Sequence, residues 1–298
     1  MEEQLACCDM KTYTECIACL VKQAVEIAKL HVPGESQDRF IRDVLKRISN
    51  MDYSEPPPVM ASEMYYMIRD LTGINDPYDE IKRYYNEKAL TMLVELEGIV
   101  AESEDPFKTA LRIAVAGNII DFGIGTKDNI QIRGTLEKAL KAEFAIDRIE
   151  ELRGKNADAG SVLYLADNAG EIVFDRLFIE QIGPYRVTCA LRHAPIINDA
   201  TLNDAEHAGL SKVCRVISSG CTAPGTLIQS CSQEFMDLFS SADVVVSKGQ
   251  GNFETLNLSD REIFFLFMVK CPVISREVGV PVGSFIALHH DPGPLSKL

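Results

Sequence analysis

The sequence predicts an α/β protein in which a helical N-terminal domain precedes a Rossmann-like, three-layer α/β/α domain with a largely parallel sheet. Up to about residue 140, apolar residues recur at the spacing of amphipathic helices. Beyond residue 160, short apolar runs alternate with helical segments, which is the order of βαβ units. The chain has 298 residues, enough for about two domains. We therefore expect a helical domain over residues 1–150 and an α/β domain over residues 151–298.

Apolar spacing and proline positions predict the helices of the first domain one by one. The first helix begins near Tyr13, and the second carries Phe40 and Val44 on one face. Prolines at positions 56–58 end this pattern, because proline lacks the backbone donor that a helix interior needs. Pro106 suits the first turn of a later helix. Three further helices are predicted over residues 61–71, 80–101 and 107–118.

Short apolar runs in the second half predict the strands of the sheet. The run over residues 161–166 is nearly continuous, as expected for a strand covered on both faces. Further strands are predicted over residues 186–191, 212–217, 242–247, 263–269 and 272–274, and helices over residues 171–182 and 226–239. The polar stretch 153–160 marks the change of domain. His289 and His290 fall in a tail rich in proline and glycine, whose composition is equally compatible with disorder.

Composition and charge exclude several classes of partner. The chain has 30 Lys and Arg against 44 Asp and Glu, so its formal net charge is −14 and its pI is near 4.9. Nucleic acids and anionic membranes attract basic surfaces, so neither is an expected partner. The longest apolar run, residues 263–269, is far shorter than the ~20 residues of a membrane span. Because the first residues also lack the basic and apolar regions of a signal peptide, we expect a cytoplasmic protein. Its oligomeric state is left open.

Polar residues gather where the predicted strands end. Ligands of an open α/β sheet bind at the carboxyl ends of its strands, so the residues that leave each strand are candidates for a site. In chain order these are Asp167, Asn168 and Glu171 after the first strand, Asp199 and Asp204 after the second, Ser218 and Gly220 after the third, Lys248, Gly249 and Asn252 after the fourth, and Lys270 after the last strong strand. Carboxylates, amides, glycine-rich backbone and two lysines are therefore expected at one edge of the sheet.

These residues also have purely structural interpretations. Asn168 and Glu171 have the spacing of a capping box at the start of a helix. Asp199 and Asp204 suit the first turn of a helix, and lysines are usually solvated. Asp167 differs, because a carboxylate directly after a buried strand needs a partner or a cation.

The combination favours a metal site. Oxygen ligands from Asp167, Asn168 and Asp199 suit a hard divalent cation, Mg²⁺ or Mn²⁺, with Co²⁺ or Ni²⁺ as alternatives. A cation with few protein ligands keeps positions for a substrate phosphate. Lys248 and Lys270 would neutralise phosphate oxygens, and N–H groups of the glycine loops would add donors. A metal ion, lysines and backbone N–H groups are the groups that enzymes of phosphoryl transfer use to stabilise phosphate charge.

The strand-end motifs resemble those of a known family. The motifs are Asp167-Asn168-Ala169-Gly170-Glu171 followed by Asp175, Asn198-Asp199-Ala200-Thr201, Lys248-Gly249-x-x-Asn252, and Gly117-Asn118-Ile119-Ile120-Asp121. Over roughly residues 13–286 the chain is similar to the metal-dependent damage-control phosphatases, once catalogued as domain-of-unknown-function eighty-nine. The resemblance implies a helical domain and an α/β domain, with metal ligands at Asp167, Asn168 and Asp199. It also implies that Glu171, Asn118, Asp121 and Lys248 line the substrate site.

Two further segments refine the resemblance. Eukaryotic members place an Arg-Thr-x-Lys motif at the position of Lys270. This chain reads Phe267-Met268-Val269-Lys270 there, so only the lysine carries over. The substrate is therefore expected to differ from that of the eukaryotic branch. The compact length and the segment Cys16-Ile17-Ala18-Cys19 are similar to the prokaryotic and archaeal branch. These cysteines have two open interpretations: small core residues, or a metal or disulfide role involving Cys271. One such pair is weak support for zinc.

The leading hypothesis is a divalent-metal-dependent phosphatase that hydrolyses small phosphorylated metabolites, such as sugar phosphates or damaged metabolites. Glu171 or Asp204 would position the water or take its proton, and attack by water is favoured over a phospho-enzyme. Two other classes stay open. A Rossmann-type carboxyl methyltransferase would use acidic strand-end residues for a ribose, but Ala169-Gly170 lacks the fuller glycine run of such sites. A non-catalytic metal- or metabolite-binding protein is the second alternative.

Overall fold

The computed structural model describes residues 10–117, 134, 136–137 and 139–293, and it confirms the predicted α/β class. The helices before the sheet are α1 Thr14–His31, α2 Gly34–Ile48, α3 Pro57–Thr72, α4 Asp79–Glu102 and α5 Pro106–Gly117. Pro106 begins α5, as its restricted φ angle predicts. Gly73 ends α3 in the left-handed conformation, with φ at 70°.

A sheet with helices on both faces follows. Its strands are β1 Phe144–Asp147, β2 Val162–Leu165, β3 Val187–Leu191, β4 Arg215–Ser218, β5 Val244–Lys248, β6 Ile263–Met268 and β7 Phe285–His290. The accompanying helices are α6 Ile149–Asp158, α7 Glu171–Ile182, α8 Leu202–His207, α9 Gln233–Ser241, α10 Gln250–Leu256 and α11 Pro272–Val278. The strand order is β1-β7-β6-β5-β2-β3-β4, and every neighbouring pair is parallel except β6 and β7.

Alternating residues of β2 show how the three layers are built. Val162 and Tyr164 point into a core shared with α4, α5 and α7, whereas Leu163 and Leu165 point into a core shared with α9, α10 and α11. All four side chains are buried, which explains the continuous apolar run in the sequence. Helices α1, α2 and α3 enclose a third core, into which Ile196 from the segment after β3 inserts.

Several predicted elements need correction. Residues 272–274 form the start of helix α11 rather than a strand, because Pro272 occupies the first helical position, where its missing N–H is not needed. A short apolar run cannot separate strand from helix by itself. The predicted helix over residues 226–239 is instead a 3₁₀ turn, Ile228–Ser230, followed by α9, whose start is set by the Ser232 side chain accepting from Phe235 N.

Two segments assigned little structure from the sequence are regular. Most of the polar stretch 153–160 belongs to α6, whose buried residues are Ile149, Leu152 and Asn156. His289 and His290 end β7, where the antiparallel pairing with β6 supplies the missing order. Nonlocal hydrogen bonds stabilise this strand, so its local composition was a poor guide. Across the described parts of the chain, no helix is both long and apolar enough to cross a membrane.

Candidate functional site

The candidate site lies at the carboxyl edge of the sheet, where β3, β2 and β5 end side by side. The chain runs from β2 to β3 and β4 on one side, and then returns to β5 and β6 on the other. Such a reversal of strand order leaves a crevice outside the strand ends. Asp167 follows β2, Asp199 follows the β3 exit segment, and Lys248 ends β5.

Asp167, Asn168 and Asp199 lie against one another at this edge. Asn168 and Asp199 form an isolated antiparallel bridge. The Asn168 Nδ2 amide donates to Asp167 Oδ2 at 2.7 Å and to Glu171 Oε2 at 3.1 Å. Because both amide hydrogens are engaged by carboxylates, the carbonyl Oδ1 is the atom left to accept. Asn168 Oδ1 is therefore the atom of this side chain that could hold a cation.

A buried arginine that the sequence analysis missed holds the two aspartates. Arg192 is only 2% exposed, and its Nε donates to Asp199 Oδ2 at 2.7 Å. One terminal nitrogen lies 3.8 Å from Asp167 Oδ1. The guanidinium also donates to Thr226 Oγ1 at 3.2 Å and to Asn252 Oδ1 at 3.1 Å. Its position directly after β3 was the one signal in the sequence that could have identified it.

Burial and mutual repulsion oppose the ionisation of the two aspartates. Burial, followed by the charges of Glu171 and Asp199, raises the pKa of Asp167 well above its ordinary range, while Lys270 and Arg192 act in the opposite direction. Burial also raises the pKa of Asp199, although Arg192 counteracts it. A cation bound between these oxygens would relieve both effects.

Lys248 ends β5 inside a buried cluster of acids. Its ammonium donates to Glu171 Oε1 at 2.7 Å, to Asp175 Oδ1 at 2.5 Å and to Ala114 O at 2.9 Å. The Tyr164 hydroxyl donates to the same Asp175 oxygen at 2.7 Å. Burial opposes the charge of Lys248, but Asp175 and Glu171 outweigh it, so the pKa of Lys248 is raised. Lys248 therefore holds Glu171 in place, and its contact with a phosphate stays a prediction.

Helix α4 connects the helical region to the site. Asn86 Oδ1 accepts a hydrogen bond from Gly170 N at 2.6 Å, and its Nδ2 donates to Asp204 Oδ1 at 3.4 Å. Lys82 Nζ lies 3.2 Å from Asp204 Oδ2. Asp204 also completes a capping box with Thr201 at the start of α8. These contacts give Asp204 a structural role, so its predicted catalytic role stays a prediction.

Gly249 and Lys270 lie beside Asp167. Gly249 has φ at 82°, and a Cβ added to it would collide with the Asp167 carboxylate. Lys270 is half-buried, its backbone N–H donates to Gln250 Oε1 at 3.0 Å, and its charge acts on Asp167. No carboxylate of the described residues lies within ion-pair distance of its ammonium. Lys270 is therefore the lysine that remains available for an anion.

Of the remaining predicted residues, Asn252 joins the cluster of Asp167, Asn168 and Asp199 through Arg192, whereas Ser218 and Gly220 form a separate turn. Asn252 Nδ2 donates to Lys248 O at 2.7 Å, which joins the β5 exit to the arginine network. Ser218 and Gly220 form a local turn after β4, in which Gly220 N donates to Ser218 Oγ at 3.2 Å. Asn118 and Asp121 lie outside the described residues. The residue before them, Gly117, packs on the site helix, since a Cβ there would lie 3.2 Å from Glu171 Cγ.

The two cysteines of α1 lie near Cys271 and Glu254, because the charges of both groups act on the two thiols and Cys16 packs on the same core as Cys271. Cys16 is half-buried, and burial raises its pKa to about 11, whereas Cys19 is exposed. Cys271 accepts a hydrogen bond from Gln250 Nε2 at 3.5 Å. The cysteines of the described residues are free thiols, so no disulfide joins the three. A metal role for Cys16 and Cys19 stays a prediction.

The donor set at the sheet edge fits a divalent cation. Asn168 Oδ1 and Asp199 Oδ1 accept no hydrogen bond from the residues that the structure describes, and the Asp167 carboxylate occupies the space beside Gly249. In residues 10–117 and 139–293, no three His, Cys, Asp or Glu side chains are arranged around a common metal position. The fitting set is therefore two carboxylates and one amide, with the remaining coordination left to substrate and water.

Comparisons with known proteins agree on one family. The model of the damage-control phosphatase ARMT1-like domain matches residues 12–286. A damage-control phosphatase of Pyrococcus horikoshii is 34% identical over 287 residues, covering 94% of this chain and 99% of the relative. One from Archaeoglobus fulgidus is 32% identical, covering 93% and 99%. The crystal structure of a duf89 family protein from Pyrococcus horikoshii superposes with a TM-score of 0.84 at 33% identity, covering 95% of this chain and all of that one.

Proposed function

The chain belongs to the damage-control phosphatase ARMT1-like family, and we propose that it is a divalent-metal-dependent phosphatase that hydrolyses small phosphorylated metabolites. The observation that carries the proposal is the contact of Asp167, Asn168 and Asp199 at the switch point of the sheet. Mg²⁺ or Mn²⁺ is the cation that these oxygens suit, with Co²⁺ or Ni²⁺ as alternatives. The proposed location is the cytoplasm, because an odd number of cysteines in a long chain does not indicate a disulfide framework.

Different side chains of this site would hold the cation and the phosphate. The bound cation would supply charge neutralisation and polarisation of the phosphoryl oxygens. Asp167, Asn168 and Asp199 would hold it, and Arg192 keeps the two aspartates in position. Lys270 would add the second positive charge on the phosphate, because its ammonium has no acidic partner among the described residues.

We assign the proton transfer to Glu171. Its Oε2 lies 3.1 Å from the Asn168 amide, while Lys248 holds the other carboxylate oxygen at 2.7 Å. A water that attacks phosphorus beside Asn168 would pass its proton to Glu171 while the P–O bond to the ester oxygen breaks, and the leaving alkoxide would take a proton from solvent to depart as the alcohol, leaving phosphate. Asp204 is the weaker candidate, because its hydrogen bonds are to Thr201, Lys82 and Asn86, whereas Glu171 contacts the proposed ligand Asn168 directly.

A phosphate-release assay tests the proposal. The chain is incubated with p-nitrophenyl phosphate and a panel of sugar phosphates, with Mn²⁺ or Mg²⁺ and then with excess chelator. We expect chelation to abolish turnover and Asp167→Ala to reduce it by about 100-fold or more, since each charge-stabilising group is typically worth that much. Asp38→Ala, an exposed change on α2, should leave turnover unchanged.

The outcomes separate the proposal from its alternatives. Metal-independent turnover, or full activity of Asp167→Ala with an unchanged circular dichroism spectrum, would overturn the mechanism. Mn²⁺ binding without phosphate release from any ester would indicate a non-catalytic binding protein. Glu171→Gln should keep Mn²⁺ binding while lowering kcat, because the amide retains the shape of the side chain but cannot accept the proton.

A further inference from the structure

The two segments that carry the proposed metal ligands are joined to each other through their backbones. Residues 167–170, which follow β2, form the β2 exit loop, and residues 198–201, which precede α8, form the β3 exit loop. Ala169 N donates to Asn198 O at 2.9 Å, and Ala200 N donates at 2.8 Å to the carbonyl oxygen of the first residue of the β2 exit loop. The three proposed ligands therefore belong to one hydrogen-bonded unit, and a displacement of either loop would change the distances among them.

A side chain of the helical region holds one end of this unit. Asn86, on α4, is only 2% exposed, and its Oδ1 accepts a hydrogen bond from Gly170 N at 2.6 Å. Gly170 ends the β2 exit loop with φ at 77°, and Glu171 follows it directly as the first residue of α7. The N–H group that Asn86 holds therefore lies, along the chain, between the proposed ligand Asn168 and the proposed base.

The same amide also contacts the start of α8. Its Nδ2 donates to Asp204 Oδ1 at 3.4 Å, and Lys82, one turn earlier on α4, lies 3.2 Å from Asp204 Oδ2. This second oxygen accepts from Thr201 N at 2.9 Å and from the Thr201 hydroxyl at 2.7 Å. Thr201 ends the β3 exit loop, so α4 holds one ligand loop directly and the other through Asp204.

We propose that Asn86 is a positioning residue of the metal site, which holds the two ligand loops in the arrangement that Mn²⁺ or Mg²⁺ requires. The inference rests on the proposed phosphatase function and identifies a residue of the helical region on which metal affinity depends. Asn86 acts through the loops rather than as a ligand, since its Oδ1 is engaged by Gly170 and its Nδ2 by Asp204. Side chains that hold metal ligands in position typically contribute about ten- to hundred-fold to metal affinity.

Titration calorimetry with Mn²⁺ tests this role without requiring turnover. Asn86→Leu keeps the branched shape of the side chain but neither hydrogen bond, and it should raise the Kd for Mn²⁺ by about ten-fold or more. The matched control is Asn156→Leu, because Asn156 is also a buried asparagine of a helix and donates to Ile182 O at 3.2 Å, at the far end of α7. Both variants should unfold at a lower temperature in excess chelator, but only Asn86→Leu should bind Mn²⁺ more weakly.

Asn86→Asp separates the two hydrogen bonds of the amide. Its carboxylate can still accept from Gly170 N but cannot donate to Asp204, and Lys82 on the neighbouring turn offsets the added charge. We expect its Kd for Mn²⁺ to stay closer to that of the unaltered chain than to that of Asn86→Leu. Asn86→Ala, which removes the amide without adding bulk, has the same expected Kd increase as Asn86→Leu and replaces it if the leucine variant does not fold.

The outcomes distinguish a positioning role from a structural one. An unchanged Kd in Asn86→Leu and Asn86→Ala, or an equal loss of Mn²⁺ affinity in Asn156→Leu, overturns the inference. A Kd for Asn86→Asp as high as that of Asn86→Leu also contradicts it, because the hydrogen bond to Gly170 would then not matter. If the unaltered chain itself binds no Mn²⁺, the proposed function fails, and this result is distinct from unchanged binding in the variants.

Discussion

Arg192 and Gly249 control the geometry of the proposed metal ligands without being ligands themselves. The buried guanidinium of Arg192 donates hydrogen bonds to Asp199 through Nε and to Asn252 through a terminal nitrogen. Gly249 leaves the space that the Asp167 carboxylate occupies. Arg192 acts by charge and shape and Gly249 by shape alone, so conservative substitutions at either residue are expected to be harmful.

Gly249→Ala should abolish metal-dependent activity. The added Cβ collides with the Asp167 carboxylate, and alanine is strained at a φ of 82°. Gly279→Ala is the matched control, because Gly279 has a φ of 71° but open space around its Cβ position. We expect Gly279→Ala to lose about 1 kcal/mol of stability and Gly249→Ala to lose more, because the ψ of 156° at Gly249 places it in a region that essentially only glycine adopts. Only Gly249→Ala should lose Mn²⁺ binding, measured by titration calorimetry. Equal Mn²⁺ affinity in the two variants would contradict the assigned role of Gly249.

Arg192→Lys should weaken Mn²⁺ binding and destabilise the fold. Lysine keeps the charge, but it cannot span Asp199, Thr226 and Asn252 at once, so buried acceptors lose their donors. We expect a loss of about 1–3 kcal/mol in the free energy of unfolding by urea. The exposed pair of Arg215 with Glu234 provides the control, and Arg215→Lys should cost less than about 0.5 kcal/mol. Equal stabilities of the two variants would count against the network.

Among the secondary-structure elements, the segment after β3 joins the helical region to the sheet. Ile196 is buried in the core of α1, α2 and α3, and Ile197 takes a positive φ of 45°. A branched residue in that conformation is strained, and the insertion of Ile196 holds it there. The strained turn directs the chain back to Asp199, so the packing of the helices positions a residue of the sheet edge.

Helix α10, which follows the β5 exit, carries a half-buried acid, Glu254, that should make stability depend on pH. Burial raises the pKa of Glu254 to about 7, although a hydrogen bond from Gln250 opposes the shift. The folded chain therefore holds this proton more tightly than the unfolded chain, in which the pKa of the glutamate is near its ordinary value of 4.5. The stabilisation by this group is present at acidic pH, and it is lost as the pH rises from about 4.5 to about 7.

Glu254→Gln should remove this dependence. The amide stays neutral and can still accept from Gln250, so the variant should be more stable than the unaltered chain at pH 8 by about 1–3 kcal/mol. The difference should shrink toward zero near pH 5. Urea unfolding at the two pH values measures it, and Glu87→Gln, an exposed change on α4, is the control. A difference that grows on acidification would show that the sign is wrong.

In the whole molecule, an excess of 14 negative charges surrounds a site that is proposed to bind a cation. Such a field favours the approach of Mn²⁺ and opposes the approach of an anionic substrate. The positive groups at the site, Lys270 and Arg192, lie close to the carboxylates rather than spread over the surface. The acidic composition is therefore compatible with a small phosphate as ligand, although it disfavours an extended polyanion.

Mn²⁺ should stabilise the folded chain as a whole. A cation that binds the folded state alone adds about 2.7 kcal/mol at a concentration of 100 times its Kd, which corresponds to a rise of several degrees in Tm. Excess chelator should reverse the rise, and Asp199→Asn should remove most of it. Asp38→Asn should respond like the unaltered chain. A rise that persists in Asp199→Asn would place the Mn²⁺ elsewhere on the molecule.

Much of the fold could be predicted from local patterns. The buried run of β2 and the helix over residues 171–182 have the predicted extents within one or two residues. Strand β7 could not be assigned, because its order comes from pairing with β6. Residues 272–274 were predicted as a strand but begin α11, because a short apolar run does not separate strand from helix. In the candidate site, the contact of Asp167, Asn168 and Asp199 followed from the rule for strand ends. Arg192 and Asn86 did not, since an isolated arginine or asparagine carries no periodic signal.

The sequence by itself was sufficient to predict the α/β class and the edge of the sheet at which the polar side chains lie. Both depend on short-range periodicity and on the fact that parallel strands end together. Only the tertiary structure shows which lysine pairs with which acidic side chain. Lys248 meets Glu171 across 77 positions of sequence, and Lys82 meets Asp204 across 122. These pairs form because burial forces each charge to find the partner that packing brings near it, and local sequence does not encode which partner that is.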